Sequence, residues 1–348
     1  MYCLDTDIST NTPKYDSIYF EKCQGIFALF FGKTDKKESK GQEGDGKMTE
    51  KRTDLAVETR ESFPKDRVEV KGVELEKSED EKNQMIVTKV RIRDDAGSRA
   101  MKKPKGTYIT VESPVFQKEE MDHEPLLLCV CEQLEGMIGP MKQKSVLIVG
   151  LGNREVTSDS LGPCMIDHLF VTRHLKRELG EQFMLDNEYG CVSAIAPGVM
   201  AQTGIETAEI LEGVIDRTRP DLVIVVDSLA ARSVERLCTT VQITDTGIAP
   251  GAGVGNRRME LNQDTLGVPV VALGVPTVVD AQTIIGDHLE HVLTNQGYRE
   301  SEIEAFLKGI LGKETENVMV TPKNIDFSVR LLSRDLARVL NHCFQKKG

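Results

Sequence analysis

Three stretches in the middle of the chain are almost unbroken in apolar residues: "SVLIVGLG" (145–152), "DLVIVVD" (221–227) and "VPVVALGVP" (268–276). Runs of this length and kind fit strands buried on both faces. Between and after them, residues 163–179, 203–217 and 281–295 repeat apolar positions at helical spacing. Strands alternating with helices predict an α/β architecture whose parallel sheet is covered on both faces. No internal repeat is visible.

The upstream pattern differs. "RVEVKGVELE", "QMIVTKVRIR" and "GTYITVES", within residues 66–112, alternate apolar and polar positions and are separated by charged or glycine-containing turns. That period predicts a β-rich subregion with one wet face. Residues 118–139 then read as a helix. Residues 1–31 lack clear periodicity. The tract "GKTDKKESKGQEGDGKMTEKRTD" (32–54) is too polar to order itself by burial. We therefore expect a disordered leader over 1–54 and a folded domain over 55–348. Met48 lies in the tract, so the sequence leaves both Met1 and Met48 open as the working start.

Composition narrows the function classes. Apolar residues make up 39% and charged residues 28% of the chain, as in ordinary globular proteins, and the net charge is −11. A general nucleic-acid binder needs a basic face, so that charge weighs against a direct nucleic-acid partner. The one membrane-like stretch, "GIFALFFG", is far short of the roughly 20 residues that span a bilayer, and no basic segment precedes it. A cytoplasmic protein is expected. The eight cysteines are scattered and form no C-x-x-C pair, so buried free thiols are the expectation.

The most informative segment is "VLIVGLGNREVTSDSLGPCMIDHLF" (146–170). A strand, Gly150 and Gly152 begin a dinucleotide loop, but its third glycine position is Glu155, which would repel a pyrophosphate. A second glycine cluster, "TGIAPGAGVGNRR" (246–258), fits an anion-binding nest and a substrate-contacting loop equally well. Two carboxylates are better placed. Asp159 lies in the loop leaving the first buried strand, and Asp227 directly follows "LVIVV", where sites in such sheets gather. The pair could share a proton, one member activating water and the other protonating a leaving group. Helix capping is the competing reading, by Asp159 near Pro163 and by Asp227 ahead of "SLAARSVERL". His288 and His291 sit beside Asp287 and Glu290 on a probable solvated helix face, no histidine follows a strand end near the two aspartates, and no G-x-S-x-G elbow exists.

Taken together, "VGLGNREVTSDSLGP", "APGVMAQTGIET", "VIVVDSLAAR", "TDTGIAPGAGVGNRR" and "LGVPVVALGVPTVVDA" resemble the germination protease family of spore-forming bacteria, in order from about residue 53 to the C-terminus. The resemblance implies a three-layer α/β/α fold like that of the hydrogenase-maturation proteases. It also implies an aspartic-type endopeptidase that degrades small acid-soluble spore proteins during germination. Asp159 and Asp227 match the family's catalytic aspartates, and Gly152, Asn153, Thr157, Gly162 and Arg232 are expected to support the site loops. No cofactor and no metal are implied; the alternative is a metal-dependent maturation-type peptidase. Further implications are a homotetramer, a location in the forespore or spore core, and synthesis as a zymogen that cleaves itself.

"TDLAVE" (53–58) resembles the family's cleavage sequence, which predicts a cut between Asp54 and Leu55. Such a tethered self-site competes with substrate through its high effective concentration. Two departures stand out. Ser158 and Ser160 flank the loop aspartate where the family more often has Pro and Ala, and a propeptide of about 54 residues is longer than is usual in the family.

Overall fold

The computed structural model describes residues 53–63, 70–139, 144–254, 258–311 and 318–344. The expected leader, apart from Thr53 and Asp54, lies outside them, as do Cys3, Cys23 and Arg257.

One sheet carries the described chain. In sequence order its strands are β1 (Val73–Asp80), β2 (Met85–Ile92), β3 (Gly106–Glu112), β4 (Ser145–Gly150), β5 (Cys191–Ile195), β6 (Leu222–Ala231), β7 (Thr240–Thr244), β8 (Val270–Asp280) and β9 (Met319–Val320). In space the order is β1-β2-β3-β7-β8-β6-β4-β5, and β9 pairs with the far end of β8. The three buried runs become β4, β6 and β8, which pair in parallel, as do β4 and β5. The β-rich subregion is no separate unit: β3 joins β7, and β7 joins β8, both antiparallel. The sheet is therefore mixed, parallel over β8-β6-β4-β5 and antiparallel beyond. β1 is exposed along most of its length, whereas β2 alternates, which places the wet edge on β1.

Alternation along the buried strands splits the core in two. Val146, Ile148, Ile224 and Val226 pack beneath helices Glu124–Ile138, Leu161–Ile166 and Ile325–Phe344. Leu147, Val149, Val223 and Val225 pack beneath helices Thr207–Thr218 and Gln263–Leu266 on the opposite face. The result is three layers, α/β/α.

Helix boundaries depart from the periodicity where punctuation intervenes. The 118–139 helix starts at Glu124, with Pro125 in its first turn. The 163–179 pattern divides into Leu161–Ile166 and Arg173–Asp186, the latter kinked at Gly180 with φ 85°. Gly204, at φ 72°, ends a short helix Met200–Thr203 ahead of Thr207–Thr218. Helix 281–295 stands as expected, its first turn capped by Asp280, which accepts from the Thr283 N–H at 2.9 Å. The cysteine expectation needs correction at one pair: Cys131 and Cys343 are joined, their Cα atoms 6.3 Å apart, tying the Glu124–Ile138 helix to the C-terminal one. Cys129, Cys164, Cys191 and Cys238 are free.

Candidate active site

Leaving β4, the chain must turn sharply and pack a helix on the strand it has just left. Gly150 and Gly162 make that close approach possible. A Cβ on Gly150 would lie 2.3 Å from the Gly162 carbonyl oxygen, and one on Gly162 would lie 2.4 Å from that of Leu151. Gly162 thus performs the close-packing task that the dinucleotide motif assigns to its third glycine, twelve residues after Gly150. Gly152 adopts φ +115°, where a side chain would be 1.9 Å from the Asp159 carbonyl oxygen. The loop can therefore fold back until the Asn153 N–H donates to Asp159 Oδ2 at 2.8 Å. Thr277 Oγ1 donates to the Ser158 carbonyl at 2.6 Å and pins the loop to β8. Ser158 and Ser160 are compatible with this turn, Ser160 Oγ bonding back to the Thr157 carbonyl at 2.9 Å.

Asp227 does not end its strand, as the sequence implied. β6 continues to Ala231 because β8 pairs with it that far, through a register shift at Leu229/Ala230. What ends beside Asp227 is the other neighbour: β4 pairs with β6 only as far as Gly150 opposite Val226. The departure of β4 opens one flank of Asp227 while the strand still holds it rigidly. Neither aspartate caps a helix. Asp227 accepts from its neighbour, the Ser228 N–H, at 2.9 Å.

Asp159 and Asp227 line a single cavity of about 870 Å³. Burial raises the Asp159 carboxyl above its ordinary range, against the pull of the Asn153 N–H. Asp227, 6% exposed, is raised well above that range, first by burial and then by the negative charge of Asp159. With burial and the charge of Asp159 both opposing ionisation at Asp227, the two carboxyls cannot both ionise cheaply, so the arrangement favours one of them keeping its proton.

The same cavity is lined by Asp54. Thr53 and Asp54, the end of the expected leader, are firmly seated. The Asp54 N–H donates to the Ala230 carbonyl at 2.9 Å, and the Ala230 N–H returns a bond to Asp54 Oδ2 at 2.9 Å. Burial raises this carboxyl too, and its negative charge is felt at Asp227. Leu55 is fully buried against Leu229, Ala231, Leu237 and Val279. Ala56 packs with Val90, Ile92, Met101 and Tyr108. Glu58, 2% exposed, accepts from the backbone N–H groups of Arg232 at 2.7 Å and Ser233 at 2.9 Å, with Thr53 Oγ1 and the Arg236 guanidinium against it. Asp54, Leu55, Ala56 and Glu58 of "TDLAVE" are therefore each received by a different set of groups on the fold.

The glycine cluster resolves in favour of contact with this segment. Thr246–Ala252 and Arg258 line the cavity, and Gly253 approaches so closely that a Cβ there would be 2.1 Å from Asp54 Oδ2. Of the expected supporting residues, Gly152 and Asn153 line the cavity, whereas Thr157, Gly162 and Arg232 do not. Arg232 contributes its N–H to Glu58, while its guanidinium pairs with Asp287 at 2.6 and 2.9 Å. Periodicity could not have identified two further residues at the segment, Lys103 and Gln242. Among the described residues, the one group of three metal-type side chains with ligand atoms within 4.8 Å is Cys131, Glu135 and Cys343. None of these lines the cavity. No helix among the described residues is long and apolar enough to cross a membrane.

Comparison with known proteins shows which family the chain belongs to. The chain is 44% identical over 310 residues to the germination protease of Caldanaerobacter subterraneus subsp. tengcongensis, spanning 84% of this chain and 94% of that one. The Clostridium perfringens strain 13 germination protease is 41% identical over 317 residues, with 84% and 95% covered. The Bacillus cereus B4264 germination protease is 45% identical over 260 residues, with 72% and 69% covered. Among solved structures, a nickel–iron hydrogenase maturation protease from Thermococcus kodakarensis matches 61% of this chain and 98% of its own, at 15% identity and a TM-score of 0.32. The family model for germination protease matches residues 49–308, and with these relatives it establishes that the chain is a peptidase of the germination protease family.

Proposed function

We propose that the protein is an aspartic-type endopeptidase in which Asp159 and Asp227 share the work of hydrolysis. Its substrates would be small acid-soluble spore proteins in the spore core, and it would first cleave itself between Asp54 and Leu55. The observation that carries this reading is the meeting of Asp159, Asp227 and Asp54 in one cavity. The ionised member of the pair takes a proton from water. The hydroxyl oxygen adds to the peptide carbonyl carbon, and the protonated member gives its proton to the departing nitrogen. Burial and the neighbouring charge of Asp159 raise the proton affinity of Asp227, which supports one carboxyl of the pair acting as the acid and the other as the base. The working form would be a homotetramer, as the family resemblance implies.

The test uses the full chain. Wild type, Asp159→Asn and Asp227→Asn are incubated with a small acid-soluble spore protein, and intact masses are followed for both partners. Wild type should lose the segment ending at Asp54 and fragment the substrate; both variants should do neither while keeping wild-type circular dichroism. Full activity in both folded variants would remove these residues from the mechanism.

A further inference from the structure

We infer that Lys103 and Gln242 form the carbonyl-binding pair of the reaction, holding the oxygen of the bond to be cut and stabilising the negative charge that develops there. The inference rests on the cleavage reading above and adds two catalytic residues to it. Lys103 Nζ donates to the Asp54 carbonyl oxygen at 2.9 Å, and Gln242 Nε2 donates to the same oxygen at 3.2 Å. That oxygen belongs to the Asp54–Leu55 peptide bond. Gln242 also accepts from the Ala56 N–H at 2.8 Å through Oε1. One amide thus grips the backbone on both sides of Leu55 and fixes the peptide's direction and register.

The sheet explains how these groups face the aspartates. Gln242 of β7 lies opposite Gly274 of β8, and Gly274 lies opposite Asp227 of β6. Paired residues project to the same face, so Gln242 and Asp227 stand on one side of the sheet, two strands or about 10 Å apart. A scissile carbonyl lying between them would have its oxygen toward Gln242 and its carbon accessible from the Asp227 side. Val241 and Ile243 point into the opposite core, so Gln242 can reach the site without breaking the packing of β7. Lys103 arrives from the turn between helix Asp95–Met101 and β3. Burial lowers the proton affinity of its amine, and the charges of Asp54 and Glu58 counter that effect.

Chemically the step balances without a further reagent. As water oxygen bonds to the carbonyl carbon, the carbonyl π pair moves onto oxygen. Lys103 and Gln242 donate to that oxyanion, and its electron pair returns when the carbon–nitrogen bond breaks. Donors placed in advance at the developing charge are among the largest contributors to such reactions, and removing one costs about 10²–10³ in rate.

The test follows self-cleavage of the full chain at Asp54–Leu55, together with cleavage of a synthetic peptide of residues 51–63, by mass spectrometry. The variants are Lys103→Met, Lys103→Arg, Gln242→Leu and Asp227→Asn, each checked for wild-type circular dichroism. With wild type active and Asp227→Asn inert, Lys103→Met and Gln242→Leu should each slow the cleavage step about 10²–10³-fold, and Lys103→Arg should recover part of the loss. Lys103→Met should change peptide KM little, whereas Gln242→Leu should raise it because it also loses its bond from the Ala56 N–H. Because the donors come from different elements, a misfolded variant of one leaves the other to decide. Rates within twofold of wild type for either folded variant overturn the inference while the cleavage reading stands. An inert wild type, or an active Asp227→Asn, overturns the reading and the inference together.

Discussion

Asp227 on β6 and Gln242 on β7 are both in register with Gly274, the single residue of β8 between them. A Cβ on Gly274 would lie 2.4 Å from Leu229 Cδ1. The missing side chain thus gives Leu229 its position in the apolar surface that receives Leu55. Gly274→Ala should displace Leu229 and narrow that surface, at a stability cost of about 1–3 kcal/mol. Peptides of residues 51–63 carrying Leu or Ala at position 55 provide the readout. The variant should lose much of the wild-type preference for leucine, and an unchanged kcat/KM ratio would dissociate Gly274 from recognition.

Asp227 should cost the enzyme stability at neutral pH. Its folded proton affinity is raised, so between the unfolded carboxyl range and its folded value the native state holds more protons than the unfolded one. The slope of unfolding free energy with pH is then negative, and this residue's contribution to stability falls as pH rises through that window. Asp227→Asn removes the conflict. Its Tm at pH 7 should exceed that of wild type, about 1 kcal/mol corresponding to roughly 1–2 °C in a chain of this size. The difference should shrink toward pH 4. Thermal unfolding at a series of pH values measures it, and a variant less stable than wild type at pH 7 contradicts the desolvation account.

Much of this was legible in the sequence because it depends on burial periodicity. β4, β6 and β8 could be read from their apolar runs, and Asp159 and Asp227 from their positions after two of them. Less could be read where pairing decides the outcome. Nothing local says that β6 continues past Asp227; β8 dictates that by pairing as far as Ala231 opposite Val279. Likewise, β3 and β7 extend the parallel strands antiparallel because their registers fit, a relation between segments 130 residues apart. The C-terminal helix Ile325–Phe344 carried a strong amphipathic signal that the alternating pattern upstream overshadowed. Lys103 and Gln242 stand in unremarkable local sequence, and only the fold brings them to one carbonyl oxygen.

The loop glycines should separate activity from stability. At Gly152 an alanine would occupy a left-handed conformation with its Cβ 1.9 Å from the Asp159 carbonyl oxygen. The cheapest relief is for the exposed loop to move, carrying Asp159 away. Gly162→Ala places its Cβ 2.4–2.5 Å from the backbone oxygens of Leu151 and Val226, inside a packed helix–sheet contact that cannot yield locally. Gly152→Ala should therefore abolish most self-cleavage with a modest change in Tm, whereas Gly162→Ala should chiefly lower Tm. Parallel Tm and cleavage-rate measurements would reveal whether the two effects divide in this way.

Glu58 is the anchor most sensitive to removal. Its carboxylate satisfies the N–H groups of Arg232 and Ser233 and lies 3.5 Å from the Arg236 guanidinium, which also pairs with Glu61 and Glu112 at 2.7 Å each. Glu58→Ala would leave two half-buried backbone donors unpaired, at up to about 1–3 kcal/mol each, part of which water entering the vacated space would recover. Glu58→Gln keeps the shape and one acceptor but loses the charge. Release of residues 53–63 should follow in the order Ala, then Gln, then wild type. Hydrogen exchange at the Arg232 and Ser233 amides reports it directly, since those protons are protected only while the carboxylate is seated. If the segment leaves, Asp54 leaves with it, so self-cleavage should slow while an added peptide of residues 51–63 gains access to the cavity. Opposite movements of those two rates in Glu58→Ala would identify the seated segment as both substrate and plug; a parallel fall in both would confine Glu58 to holding the fold together.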